Sequence, residues 1–286
     1  MPRKILEEKL RNMLAEDIGE GDVTTALIVP AGAAVEAEVR CKEAGVAAGI
    51  EEAAVLLESL GLKVQALLED GDEMKANQVM MKVSGDARTI LSVERTLLNF
   101  LSRMCGIATS TRRLVKAIRK AKLKTRIACT RKTAPGLMYF DKKAVLVGGG
   151  DTHRLHLDDM ILIKNNHITM AGSLQEAVRK AKERASFSKK IEVEVTSSTE
   201  ALKAAEAGVD IIMMDNFSPK QIEETIRVLE KAGLFGKTLL EASGGITSEN
   251  ILAFASKRIG VVSLGEITES TRAIDINLRV TRVLEK

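Results

Sequence analysis

Apolar positions in the first third of the chain change their spacing repeatedly. Over residues 3–16, Ile5, Leu6, Leu10, Met13 and Leu14 form one helical stripe and predict an amphipathic helix. Residues 17–25 (DIGEGDVTT) are rich in glycine and aspartate and read as a loop. Residues 33–41 alternate apolar and polar side chains, as a half-buried strand does. A helix over 50–60, strands over 62–69 and 78–84, and a long helix over 88–120 with a break near Gly106 complete the reading. This mixture predicts an N-terminal α/β sandwich, of α+β type, over residues 1–110.

After residue 124 the rhythm changes. Short apolar runs at 125–130, 160–164, 191–196, 210–215, 238–242 and 260–264 read as strands. Helical stretches at 172–185, 198–207, 218–231 and 247–257 separate the later ones, with Thr199, Ser218-Pro219 and Thr247-Ser248 placed where N-caps belong. Near-continuous apolar strands alternating with helices imply a parallel sheet with both faces covered. Six such units suit an open TIM-like α/β barrel over residues 111–266. A doubly wound sheet is the alternative, but no GxGxxG follows a first strand. The tail 267–286 carries a strand-like segment (DINLRV) that is expected to return to the first domain.

The predicted strands of the second half end in chemistry-bearing residues. Arg131 and Lys132 follow the first and Lys164 ends the second. Glu194 lies in the third, Asp215 ends the fourth, Glu241 lies in the fifth and Ser263-Leu264-Gly265 ends the sixth. In an α/β barrel those ends share one mouth, where active sites are built. Arg131, Lys132, Arg154 and Lys164 suit carboxylate or phosphate oxygens. Glu194 and Asp215, at the ends of adjacent strands, suit a hydrated Mg²⁺ shared with substrate phosphate; simple pairing with Lys132 and Lys164 is the alternative. Ser243, Gly244 and Gly245 precede a helix start, a place where backbone N–H groups meet phosphate. The loop 148–154 (GGGDTHR) leads into His153 and Arg154. All three histidines, His153, His156 and His167, fall within fifteen residues. Beside Arg154 and Lys164, His153 is expected to hydrogen-bond an anionic substrate rather than to join a triple-histidine zinc site, and His167 to orient a loop.

Composition narrows the classes of function. The 286 residues carry 43 Lys and Arg against 39 Asp and Glu, so the net charge of +4 does not by itself favour nucleic acid. Aromatic residues make up 2%, which leaves little for stacking on bases. Residues 112–132 hold ten basic and no acidic side chains, but Arg112, Lys116, Arg119 and Lys120 share one helical face and read as solvated. No apolar run is long enough to cross a bilayer, and the charged N-terminus lacks the apolar stretch of a signal peptide, so a cytoplasmic protein is expected. Cys41, Cys105 and Cys129 form no CxxC pair and read as small buried hydrophobes.

Eight short motifs occur in order: 94–102 (ERTLLNFLS), 105–109 (CGIAT), 130–136 (TRKTAPG), 148–154 (GGGDTHR), 162–167 (LIKNNH), 192–194 (EVE), 214–217 (MDNF) and 241–246 (EASGGI). With the 17–25 loop, the set resembles nicotinate-nucleotide pyrophosphorylase (carboxylating), the quinolinate phosphoribosyltransferase family, over nearly the whole chain. The resemblance implies that quinolinate and phosphoribosyl pyrophosphate give nicotinate mononucleotide, pyrophosphate and CO₂ with Mg²⁺, on the de novo route to NAD. It implies a homodimer, or an oligomer of dimers, with shared active sites. By motif position, Arg131, His153, Arg154 and Lys164 would bind quinolinate, with Arg95 from the neighbouring subunit. Lys132, Lys164, Glu194 and Asp215 match the catalytic positions around the sugar pyrophosphate, and Glu194 and Asp215 match those of the metal. Thr130 belongs to the same substrate loop. Ser243, Gly244 and Gly245 and the turn of Ser263, Leu264, Gly265 and Glu266 match the 5′-phosphate loops. Thr152, His156, Asn165 and Cys129 depart from the family's usual Asn, Gly, Asp and Asp. A related transferase using nicotinate or another pyridine, and a non-catalytic phosphate-binding barrel, stay open at this point.

Overall fold

The computed structural model describes residues 1–284 and divides the chain into two compact units. The first holds residues 1–110, the short stretch Leu146–Gly148 and the tail from Thr271; the second holds Thr111–Val145 and Gly149–Ser270.

The first unit opens with α1 (Arg3–Ile18), which buries the Leu6, Leu10 and Leu14 stripe. The 17–25 segment is less of a loop than its composition predicts. Helix α1 runs two residues further, and Asp22 starts a second helix, α2 (Val23–Ile28), by accepting the Thr25 N–H at 2.9 Å. Then come β1 (Ala34–Cys41), β2 (Gly45–Val46), α3 (Ile50–Ser59), β3 (Lys63–Ala66), β4 (Glu73–Met74), β5 (Val79–Asp86) and α4 (Ala87–Lys120). Helix α1 packs on α3, and α3 on β3. Helix α4 is unbroken at Gly106, contrary to the expectation. A Cβ there would lie 2.2 Å from the Arg272 carbonyl oxygen, so the glycine serves a close backbone approach rather than a kink.

The second unit carries the parallel strands β6 (Arg126–Cys129), β7 (Ile161–Ile163), β8 (Ile191–Val195), β9 (Ile211–Asp215), β10 (Leu239–Ser243) and β11 (Val261–Leu264). Their order is β6-β11-β10-β9-β8-β7, and β6 and β7 do not pair with each other, which leaves the barrel open at that seam. The chain beside Asp151 borders the free edge of β6: Asp151 N–H donates to Ile127 O at 2.7 Å, and Cys129 N–H donates to Asp151 O at 3.0 Å. The intervening helices are α5 (Met138–Gly148), α6 (Asn165–Ala171), α7 (Leu174–Arg184), α8 (Ser198–Glu206), α9 (Pro219–Lys231), α10 (Ile251–Ala255) and α11 (Glu266–Glu269).

Ser218 caps α9 in a full capping box with Gln221, as its sequence suggests. Helix α8 is capped by Ser197, not Thr199. Thr247 and Ser248 stay outside α10 because the Asn250 side chain accepts the Thr247 N–H at 2.9 Å and holds a turn ahead of the helix. The pattern gave no sign of α5 or α6; α6 buries none of its side chains and so has no apolar stripe to read.

The tail forms β12 (Ile276–Leu284), antiparallel to β1 from Ala34–Leu284 to Cys41–Ile276, and completes the first unit's sheet in the order β12-β1-β5-β3. Cys41, Cys105 and Cys129 are buried and free. Among the described residues no helix is long and apolar enough to cross a membrane.

Candidate active site

The C-terminal ends of the parallel strands surround a cavity of about 720 Å³. Thr130, Arg131 and Lys132 enter it after β6, His153 and Arg154 from the loop beside β6, Lys164 after β7, Glu194 from β8 and Asp215 from β9. Ser243, Gly244 and Gly245 close it after β10, and Ser263, Gly265 and Glu266 at β11. Two of the expected residues do not line this space. Leu264 is 1% exposed and belongs to the core. Arg95 is exposed on α4 in the first unit.

The cationic half consists of two guanidinium groups and two ammonium groups, and the ammonium groups meet carboxylates at the rim. Arg154 has burial, and then the charge of Arg131, acting against its cation. Two guanidinium groups so placed need anionic oxygens between them. Lys132 is 3.4 Å from Glu269 and is exposed, while its carbonyl accepts the Thr268 hydroxyl at 2.7 Å. Lys164 follows β7 and pairs with Glu194. Its own N–H donates to His167 Nδ1 at 2.9 Å, so His167 caps α6 and fixes the strand end instead of facing a ligand.

The acidic side consists of Glu194 and Asp215 on neighbouring strands. Burial, and then the Glu194 charge, push the Asp215 carboxyl above the ordinary range. Two carboxylates that repel each other at the rim of a polar cavity are a fitting donor set for a hard divalent cation. Asn216, at φ 58°, donates its side-chain N–H to Asp215 at 2.8 Å, and its backbone N–H donates to Ser243 O at 2.8 Å. Gly244 sits against that side chain: at φ 82°, an added Cβ would come 2.5 Å from Asn216 Oδ1. The glycine leaves bare backbone facing the cavity.

Beneath the rim lies a buried trio that the strand-end pattern only partly announces. Glu192 and Glu194 are two residues apart on β8 and share its inward face. Glu192 Oε2 lies 3.2 Å from His153 Nε2, and Glu241 Oε2 on β10 lies 3.3 Å from the same atom. Ser263 Oγ donates to Glu241 Oε1 at 2.6 Å. In the singly protonated ring His153 Nδ1 accepts the Arg154 N–H at 2.8 Å and the one ring proton sits on Nε2, between the carboxylates; protonating Nδ1 as well gives up that N–H contact. Both ring nitrogens therefore face protein partners, not the open cavity. Burial opposes protonation of His153, but Glu192 and Glu241 outweigh it and raise its pKa to about 10. Burial also pushes Glu192 up. The trio holds its protons as a unit.

These features have counterparts in known proteins. Residues 22–105 match the model of the quinolinate phosphoribosyl transferase N-terminal domain, and residues 107–279 that of its C-terminal domain. The chain is 43% identical, over 95% of its length and 97% of the relative's, to "Probable nicotinate-nucleotide pyrophosphorylase [carboxylating]" of Methanothermobacter thermautotrophicus. It is 37% identical to the human nicotinate-nucleotide pyrophosphorylase [carboxylating], over 89% of this chain and 85% of that one. The crystal structure of NadC from Streptococcus pyogenes superposes with a TM-score of 0.90 at 35% identity, covering 100% of this chain and 99% of the other. Matched in both domains and aligned with these relatives over most of its length, the chain belongs to the quinolinate phosphoribosyltransferase family.

Proposed function

We propose that this chain transfers the phosphoribosyl group of phosphoribosyl pyrophosphate to the ring nitrogen of quinolinate, with release of pyrophosphate and CO₂ and formation of nicotinate mononucleotide for NAD synthesis. The observation that carries the reading is the single cavity in which Arg131, Lys132, Arg154 and Lys164 face Glu194 and Asp215. Such a space suits two multiply anionic reactants held side by side.

Arg131 and Arg154 take the two carboxylates of quinolinate, and Lys164 lies between that subsite and the sugar. Retaining all three cations favours a dicarboxylate over a monocarboxylate. Lys132 and Lys164 offset charge on the departing pyrophosphate. The backbone of Ser243, Gly244 and Gly245 and the Ser263–Glu266 turn receive the 5′-phosphate. Glu194 and Asp215 would hold Mg²⁺ together with oxygens of phosphoribosyl pyrophosphate. An ion held there would supply positive charge to offset that of the departing pyrophosphate. The cationic pocket holds the pyridine nitrogen in line with C1 of the ribose, and orientation of this kind removes much of the entropic barrier. Once the nitrogen is alkylated, its positive charge stabilises the carbanion left when the 2-carboxylate departs as CO₂, and that carbon then takes a proton from water, so decarboxylation needs no covalent nucleophile. Arg95, outside the cavity lining, would serve the site of a second copy in a homodimer.

The test is turnover of the purified protein with quinolinate, phosphoribosyl pyrophosphate and Mg²⁺, following nucleotide and CO₂, with nicotinate in parallel. Quinolinate-dependent nucleotide formation with matching CO₂ release is expected. No product, or equal use of nicotinate without CO₂, would overturn the reading.

A further inference from the structure

Lys142 lies on α5 and is 1% exposed. It does not line the cavity, yet its ammonium ends directly behind the loop that does. Taking an ammonium out of water is costly unless its hydrogens are satisfied. Burial pushes the Lys142 pKa below the ordinary lysine range. The acceptors it meets are neutral. Nζ donates to Thr152 O at 2.5 Å and to Arg154 O at 2.8 Å, and lies 3.8 Å from Cys129 Sγ. Three donors thus meet three acceptors, and none of these is a carboxylate.

The two carbonyls flank His153. That residue has φ 54°, in the left-handed region that a residue with a Cβ rarely enters. Two carbonyl oxygens turned toward one point repel each other, and a cation at that point removes the repulsion. From the other side of the loop, Asp151 Oδ1 accepts the His153 N–H at 2.8 Å, and His153 Nδ1 accepts the Arg154 N–H. The His153 carbonyl accepts the Thr152 hydroxyl at 2.9 Å, so both peptide groups that meet at His153 are partnered, and Lys142 holds the carbonyls of Thr152 and Arg154.

We propose that Lys142 is a positioning residue for the dicarboxylate subsite: its ammonium draws the Thr152 and Arg154 carbonyls together and so sets the angle at which Arg154 and His153 enter the cavity. The proposal rests on the reading that Arg154 receives quinolinate. It goes further in assigning a buried group with no access to substrate to the recognition of one of the two reactants.

The experiment compares wild type with Lys142→Met, which keeps chain length and removes the charge. For the variant, the quinolinate KM should rise about tenfold or more, as a misplaced binding group produces. The phosphoribosyl pyrophosphate KM should stay within about twofold, even as the thermal midpoint falls because the Thr152 and Arg154 carbonyls lose their donor. In an Arg154→Ala background, Lys142→Met should add less than about twofold, because groups that act through one another are not additive. Unchanged quinolinate kinetics, a parallel rise in both KM values, or full additivity with Arg154→Ala would overturn the proposal. If Lys142→Met does not fold, Lys142→Gln, too short to reach both carbonyls, is judged by the same criteria. A wild type inactive on quinolinate sinks the functional reading and this proposal with it, whereas an active wild type with a silent Lys142 variant sinks this proposal alone.

Discussion

His153 joins three kinds of constraint in one residue: a left-handed backbone, a buried ring and two carboxylates on a single nitrogen. The shifts of His153 and Glu192 have the same sign, because each group binds its proton more tightly folded than unfolded. For the histidine, the stabilisation is complete below its ordinary value of 6.5 and is lost as pH rises toward about 10. The thermal midpoint of the wild type should therefore decline between those values, and Glu241→Gln should flatten the decline. Equal slopes in a pH series of melting curves would show that the trio does not act as drawn. At this scale the sequence is legible where a charge ends an apolar run: Arg131, Lys164, Glu194 and Asp215 are found that way, and they meet in one cavity. Glu192 and Lys142 are not: Glu192 sits inside an apolar run and Lys142 between Asp141 and Lys143, and neither setting reveals a partner far away in the chain. Of the trio, His153 and Glu241 stand out in the sequence singly, but nothing there joins them to each other or to Glu192.

Helices and strands were legible in proportion to their amphipathic contrast. Helix α9 has both an apolar face and a complete capping box, and its sequence marks both. Helix α6 has neither a buried face nor an acidic first turn; its start is set by the His167 side chain. Gly106 misled for a different reason. Glycine weakens a helix by about 1 kcal/mol relative to alanine, so it reads as a break, yet α4 passes through it. Here the intrinsic gain from Gly106→Ala is opposed by backbone that a Cβ would meet at 2.2 Å. Overpacking against backbone costs about 1–3 kcal/mol. Gly106→Ala should thus lower the urea midpoint despite the better helix former, and a raised midpoint would mean that the Arg272 backbone yields freely.

For the whole molecule, the alternation of apolar strands and helices was enough to infer a barrel, but not where it opens. The seam between β6 and β7 follows from which strands pair, and the pairing of parallel neighbours leaves no local mark in the chain. The tail's strand was legible by its alternation, and its partner is β1. Deleting residues from Ile276 onward should leave one edge of β1 bare, and a bare edge templates association. Increased light scattering on heating and a lowered first transition are the expected outcomes. A truncated chain that melts like the full one would show that β12 is dispensable to its sheet.

That pairing also sets an order of events at the ribosome. Residues 34–41 emerge before the parallel barrel, but the strand that covers their second edge is translated only after the whole of it. While the intervening residues are being made, the nascent sheet must wait with that flank open, a window in which protection has to come from outside the chain.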